Sequence, residues 1–250
     1  MIELNKIYLG DCLDLMVEIE DKSVDCIICD LPYGTTACSW DSIIPFDKLW
    51  EHYKRIRKDN TPIVLFGNEP FSTYLRMSNI KEYRYDWIWE KSISTGNMNC
   101  NRMPLKSHEI ISIFYKNLPM YNPQMAKGKP YVDNRINLGR QKNDLYGSFI
   151  SHTNKIENKG TRYPRSVIKF SNSNHNRYHP TQKPEALLEY LIKTYSNEGD
   201  LILDNCIGSG TTAIAAYNLK RNFIGIEKKK EYFDIAVERL RKAKVKKRLI

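Results

Sequence analysis

LILDNCIGSGTTAIAA, residues 201–216, reads in three pieces. Leu201–Leu203 is a short apolar run of strand type, closed by Asp204. Gly208 and Gly210 then make a turn where backbone can approach a ligand closely. A helical pattern follows from Thr211 to Leu219, so the free N–H groups of a helix start face whatever the turn holds. A second apolar run, Phe223–Ile226, ends on Glu227, which lies 19 residues past Gly208. Strand, glycine turn, helix, strand and terminal acid form the nucleoside-gripping half of a doubly wound α/β sheet, with the acid on the ribose hydroxyls. The third glycine of a dinucleotide fingerprint is missing, because position 213 is Ala, and no Gly-Lys-Ser/Thr supplies a P-loop. The expected ligand is a nucleoside with no pyrophosphate to cradle, which disfavours a nicotinamide oxidoreductase.

A second strand of the same kind lies near the start. In CIICDLPYGTT, residues 26–36, the apolar run ends on Asp30 and a Leu-Pro-Tyr-Gly turn follows. Ligands of doubly wound sheets bind beyond the carboxyl ends of the strands, so Asp30 and Asp204 are expected to face one cleft. Asp30 is an acceptor, Tyr33 a flat π-surface, and Pro32 fixes the turn while leaving carbonyls available. That set suits a planar base carrying an amino group. Val24–Cys29, Ile63–Phe66, Tyr85–Trp89 and Ile110–Tyr115 read as strands, and near-continuous apolarity fits a sheet covered on both faces. Pro184 suits a helix start, after which Leu187, Leu188, Leu191, Ile192 and Tyr195 share one face. Lys230–Lys242 also reads as a helix. Residues 116–177, rich in Pro, Asn and Gly, break the alternation. The reading is one domain, 1–115 with 178–250, carrying an irregular insert at 116–177.

Charge is uneven. The net +10 includes 12 Lys/Arg against 3 Asp/Glu in 116–177 and 10 against 3 in 228–250, leaving the remainder acidic. A basic segment mixed with aromatics points to a polyanion. The tail reads as a solvated lysine-rich surface instead. No apolar run reaches membrane-spanning length and the first residues lack a signal-peptide pattern, so a cytoplasmic location is expected. Cys26 and Cys29 have CxxC spacing, but no second pair follows, and small core thiols are the reading. No metal site is expected.

Three motifs together resemble a known family. DLPY, residues 30–33, resembles the D/N/S-P-P-Y/F motif of amino-methyltransferases. DNCIGSGTT, from residue 204, resembles the loop that binds S-adenosyl-L-methionine in DNA methyltransferases. HPTQKP, residues 179–184, matches the block preceding that loop in the β-ordered group. The motif order, catalytic then target recognition then cofactor, is that of a β-class DNA amino-methyltransferase, with a Rossmann-like fold.

The resemblance implies roles. Asp30, Pro32 and Tyr33 are catalytic, and Asp30 also counts among the cofactor contacts. Asp11, in GDCL, reads the cofactor adenine. Thr181 and Lys183 meet its carboxylate, while Asp204, Gly208, Ser209, Gly210 and Thr211 surround its methionine part and Glu227 binds the ribose. Asp11 has a plain alternative as a helix cap. In the insert, Lys127, Lys129, Arg135, Arg140, Arg162 and Arg165 are expected on double-stranded DNA, and Tyr121, Tyr131, Tyr146 and Tyr163 read either as partners in that contact or as a small core. Leu31 stands where the family has Pro, and Asn205 and Cys206 stand where it has Pro-Phe, so Cys206 is expected to be a weaker cofactor contact. The implied reaction is adenine-N6 methylation by base flipping, with cytosine-N4 methylation as the nearest alternative and a non-catalytic nucleic-acid module as the alternative of another class. A homodimer and a cognate restriction endonuclease are implied by family analogy.

Overall fold

The computed structural model describes residues 2–35, 41–133, 140–143, 147–150, 156–172 and 182–248, with backbone alone for 140–143, 147–150, 156 and 247–248. Elements run β1 (Lys6–Leu9), α1 (Cys12–Met16), β2 (Cys26–Cys29), α2 (Phe46–Ile56), β3 (Ile63–Gly67), α3 (Phe71–Ser78), β4 (Tyr83–Thr95) and β5 (Lys106–Phe114). Six short strands follow: β6 (Ala126–Lys127), β7 (Tyr131–Asp133), β8 (Arg140–Asn143), β9 (Gly147–Ile150), β10 (Ile156–Asn158) and β11 (Thr161–Arg162). The chain closes with β12 (Val167–Phe170), α4 (Glu185–Tyr195), β13 (Leu201–Asp204), α5 (Thr211–Asn218), β14 (Asn222–Glu227) and α6 (Lys230–Arg248).

Eight strands form one sheet in the order β1-β14-β13-β2-β3-β5-β4-β12. Only β5 runs antiparallel to its neighbours. The order reverses between β13 and β2, which pair in parallel at Ile202↔Cys26 and Leu203↔Ile27. That is the topological switch point, where a crevice opens beyond the strand ends. Period-two alternation divides the core. Cys26 and Ile28 pack with Leu187, Leu191, Ala213 and Ala236 of α4, α5 and α6. Ile27 and Cys29 pack with Met16, Leu49, Tyr53 and Leu75 of α1, α2 and α3 on the other face. Both thiols of the CxxC pair are fully buried and free, as core residues should be. The five apolar residues expected on one face of α4 are all buried, and Pro184 is its N-cap.

The insert is narrower than 116–177. The chain separates into two compact units, Met1–Asn122 with Ser166–Ile250, and Pro123–Arg165. Residues 167–170, assigned to the insert from sequence, pair in parallel with β4 as the edge strand of the main sheet. Four residues with one buried side chain carry too little pattern to announce a strand. The second unit holds three antiparallel pairs, β10 with β7, β11 with β6 and β8 with β9. Among the described residues no helix is long and apolar enough to cross a membrane, and no cluster suits a metal ion.

Candidate active site

Both acids expected in one crevice arrive there. A cleft of about 420 Å³ opens at the switch point, and its lining includes Asp11, Asp30, Tyr33, Lys183, Gly208 and Glu227. The volume lies in the range of about 300–1,000 Å³ usual for small-molecule sites. Asp30 leaves the end of β2 with both oxygens engaged. Tyr33 donates its hydroxyl to Oδ1 at 2.5 Å, and Lys183 pairs with Oδ2. The Tyr33 ring lies against Phe71, 5.0 Å between centroids. Burial raises the Asp30 carboxyl, opposed by the Lys183 ammonium. Burial and then the Asp30 charge push the Tyr33 hydroxyl well up, so it stays a donor.

Lys183 is not held for an outside carboxylate alone. Its Nζ sits between Asp30 and Glu109, 3.3 Å from Glu109 Oε2. Lys91 Nζ contacts the other Glu109 oxygen at 2.5 Å. Burial pulls Lys183 down, but the two carboxylates outweigh it and hold the ammonium above its ordinary value. Glu109 and Lys91 escaped the sequence reading. The available signal was a charge at an inward-facing strand position: Glu109 shares its face of β5 with buried Ile111 and Ile113, and Lys91 shares its face of β4 with buried Trp87 and Trp89.

The glycine loop is braced from several sides. Asp204 is buried and accepts from Thr212 Oγ1 at 2.5 Å and from the Cys206 amide at 3.1 Å. Burial pushes its carboxyl up to about 7. Arg239 of α6 donates to the Ser209 carbonyl at 2.5 Å and to Thr211 Oγ1 at 3.3 Å. Tyr53 donates to Asn205 Oδ1 at 2.5 Å, so the residue standing in place of the family Pro anchors the loop to α2. The two glycines differ. A Cβ on Gly208 (φ +53°) would meet nothing within 4 Å. A Cβ on Gly210 (φ +84°) would lie 2.9 Å from Ala236 Cβ. Gly208, Ser209 and Thr211 line the cleft, whereas Gly210, expected at the ligand, brings α5 against α6.

Glu227 ends β14, accepting from the Gly208 amide on one oxygen and the Lys229 amide on the other, both at 2.8 Å. The Lys228 amide also bonds this carboxylate, which leaves part of its acceptor capacity for a ribose hydroxyl. Asp11 does cap α1, accepting from the Leu13 amide at 2.9 Å, and it also pairs with Lys228 at 2.9 Å at the cleft wall. Cys206 lines the cleft with a half-buried side chain. Thr181, Arg135 and Tyr146 lie outside the described residues, as do the first three residues of HPTQKP. In the second unit Lys127, Lys129 and Arg165 are exposed, and Arg140 is described by backbone alone, in β8. Arg162 is engaged within that unit. It donates to Asn158 Oδ1 at 2.7 Å and bonds the Lys129 carbonyl at 2.5 Å or so, with its guanidinium 4.7 Å from the Tyr131 ring centre. Tyr163 is exposed, and Tyr121 packs against Tyr195 in the main unit.

The family model described as DNA methylase, for N6 and N4 amino-methyltransferases, matches residues 24–238. The chain belongs to this family. It is similar to the Type II methyltransferase M1.MboII of Moraxella bovis, 30% identical across 94% of this chain and 96% of that one. Among solved structures it is similar to M1.HpyAVI in complex with SAM, with 26% identity, a TM-score of 0.62, and coverage of 94% of this chain and 98% of the other. The cytosine-N4-specific PvuII methyltransferase, at 15% identity, TM-score 0.65 and coverage of 95% and 90%, shares the fold. The chain is a DNA methyltransferase and S-adenosyl-L-methionine is its cofactor. The cleft fits that group. Gly208 leaves open space, Glu227 offers acceptor lone pairs where a ribose is expected, and no P-loop demands a phosphate.

Proposed function

We propose that this methyltransferase modifies the N6 amino group of adenine in double-stranded DNA, at a specific sequence, after flipping the base into the cleft. The observation that carries the reading is the Asp30–Tyr33 pair at the end of β2, opening on the same cleft as the glycine loop. The leading Asp of the motif favours adenine over cytosine. S-adenosyl-L-methionine supplies an electrophilic sulfonium methyl. An aromatic amine is a poor nucleophile, because its lone pair is delocalised into the ring. Asp30 and the Leu31 carbonyl accept its N–H groups, which favours a tetrahedral nitrogen with a localised lone pair. Its N–C bond would form as the S–C bond breaks, leaving the neutral thioether, and the nitrogen would give up one proton to solvent. The Tyr33 ring offers the stacking face, and its hydroxyl bond to Asp30 fixes that face relative to the acceptor. Pro32 sets the turn between them. Positioning of this kind supplies much of the rate.

Asp204, Ser209, Thr211, Glu227, Asp11 and Thr181 are the proposed cofactor contacts, with Lys183 serving both the cofactor carboxylate and Asp30. An adenine within a duplex is out of reach, so the base must leave the stack. We assign the phosphate contacts to the exposed cations of the insert, Lys127, Lys129 and Arg165, with Arg135 and Arg140. Incubation with labelled S-adenosyl-L-methionine and mixed-sequence DNA tests the reading. Label in N6-methyladenine supports it, label in N4-methylcytosine replaces the target base, and no label in DNA overturns it.

A further inference from the structure

Four side chains in the cleft alternate in charge: Asp30, Lys183, Glu109 and Lys91. They come from four places in the chain, the turn after β2, the residue before the α4 cap, β5 and β4. Lys183, Glu109 and Lys91 keep side-chain exposures of only 8%, 10% and 9%, while Asp30 keeps 26% and is the member that substrate can reach. Tyr33 takes one lone pair of Asp30 Oδ1, and an incoming amino group needs another acceptor site on this carboxylate. Lys183 draws on Oδ2. An ammonium held by Asp30 alone would neutralise the acceptor.

We propose that Glu109 is a positioning residue for methyl transfer: it draws the Lys183 ammonium toward itself and releases Asp30 Oδ2 to the amino group of the target base. This rests on the reading of Asp30 as that group's acceptor. Glu109 Oε2 has the Lys183 ammonium, 3.3 Å away, as its donor, and this looser contact can tighten as the cation moves. A buried carboxylate oxygen gains from a closer donor, which favours the swing of Lys183. Lys91 completes the device. Without it, two buried carboxylates would share one ammonium, and a net charge would be left out of water. Burial and Lys91 act on Glu109 in opposite directions, and Lys183 and Lys91 together hold its carboxyl below the ordinary range, so it stays an anion.

The groups facing Asp30 are Lys183, Glu109, Tyr33, Asp204 from β13 and Cys29 from β2. Of these, Glu109 raises the Asp30 carboxyl and Lys183 lowers it. Glu109→Gln removes the first influence and gives Lys183 wholly to Asp30, so both changes lower it. The acid limb of the kcat profile, which reports ionisation in the bound complex, should move down by about one pH unit. On the plateau kcat should fall by about tenfold, the factor equivalent to one unit of acceptor basicity. A merely structural role would lower activity at every pH and leave the limb in place.

The experiment is steady-state methyl transfer across pH by wild type, Glu109→Gln and Glu109→Asp, on DNA that the wild type methylates. The Asp variant keeps the charge but withdraws it by one methylene, and both quantities should fall between the other two. It carries the test alone if Glu109→Gln does not fold. A wild type that methylates no DNA would overturn the reading of the site itself. A wild type that does, beside variants with unchanged kcat and an unmoved acid limb, would overturn the role of Glu109 and leave that reading intact.

Discussion

Lys183 and Lys127 are the same residue in opposite surroundings. Lys183 lies in the main unit, its side chain 8% exposed, between two carboxylates. Lys127 lies in the second unit on a two-residue strand, exposed to water. Burying an ammonium is costly unless its partners are well placed, so the neighbours of Lys183 specify what it does. An exposed cation costs little and makes a weak statement about any single contact. Its meaning lies in the sum over the insert, a field that attracts a polyanion. Substitutions in the cleft should therefore act strongly and locally, and substitutions in the insert weakly and additively.

The largest effect should come from Asp30. Asp30→Ala removes the acceptor and leaves Lys183 with Glu109, a partner it already has, so the fold should survive. Turnover should fall by about 10²–10³-fold, the scale of losing one positioned hydrogen-bond group at the reacting centre. Asp30→Asn should also be severely impaired, because the amide carries no charge. Circular dichroism would establish folding and labelled methyl incorporation the rate. Wild-type turnover by a folded Asp30→Ala would erase the distinction between the two lysines.

Asp204 offers a pH test of the same buried region. Burial holds its carboxyl near 7 in the folded chain, whereas an unfolded chain releases the proton near 4. Between those values the folded state binds more protons, so stability falls as pH rises through the window. The whole window corresponds to about 4 kcal/mol at about 1.4 kcal/mol per pH unit. Asp204→Asn has no proton to lose. The gap in melting temperature between variant and wild type should move in favour of the variant as pH rises toward 8 or so. A gap that is constant with pH would mean that Asp204 is ionised throughout.

The glycine loop sharpens the contrast within a few residues. Gly210→Ala places a methyl against Ala236 at positive φ and should lower stability by about 1–3 kcal/mol. Gly208→Leu has room beside the backbone but fills the cleft, at a backbone cost of about 1–2 kcal/mol. It should abolish cofactor binding in calorimetry, while Gly210→Ala should mainly lower the melting temperature. The same response from both would mean that the loop acts as one rigid turn.

What could be read from the sequence follows the range of each interaction. β2 and β13 were legible because each is a short apolar run ended by an acid. The buried face of α4 was legible from spacing alone. α2 was missed although Leu49, Trp50, Tyr53 and Ile56 share one helical face and are buried, because five charged residues dilute the segment. The Asp30, Lys183, Glu109 and Lys91 chain was illegible for another reason. Its members are separated by up to 153 positions and meet only when β4, β5 and β2 lie in one sheet. The motif matches located Lys183 and Asp30, but neither their contact nor Glu109 and Lys91. Gly210 shows the converse: a motif position on which packing against α6 imposes a constraint of its own.

The smallest effects belong to the insert, and two arginines separated by two residues divide them. Arg165 is exposed at the end of that unit. Arg162 bonds Asn158 and the Lys129 carbonyl and lies over Tyr131. If Arg165 neutralises one phosphate, Arg165→Ala should weaken binding to all sequences alike and lower the slope of log K against log salt by about one. Should Arg165 instead reach a base edge, the same change should cost about 1–3 kcal/mol at one position of the site. Arg162→Ala should act by another route. It removes the bonds that hold β11 and the Lys129 turn together, so it should loosen the unit, increase proteolysis between 123 and 165 and leave the salt slope nearly unchanged. DNA affinity at several salt concentrations, beside limited proteolysis, separates the two. A four-site variant with Lys127, Lys129, Arg162 and Arg165 all changed to Ala sets the scale. Wild-type affinity and slope in that variant would show the insert to be a solvated surface, and the DNA contact would have to be sought in the lysine-rich α6.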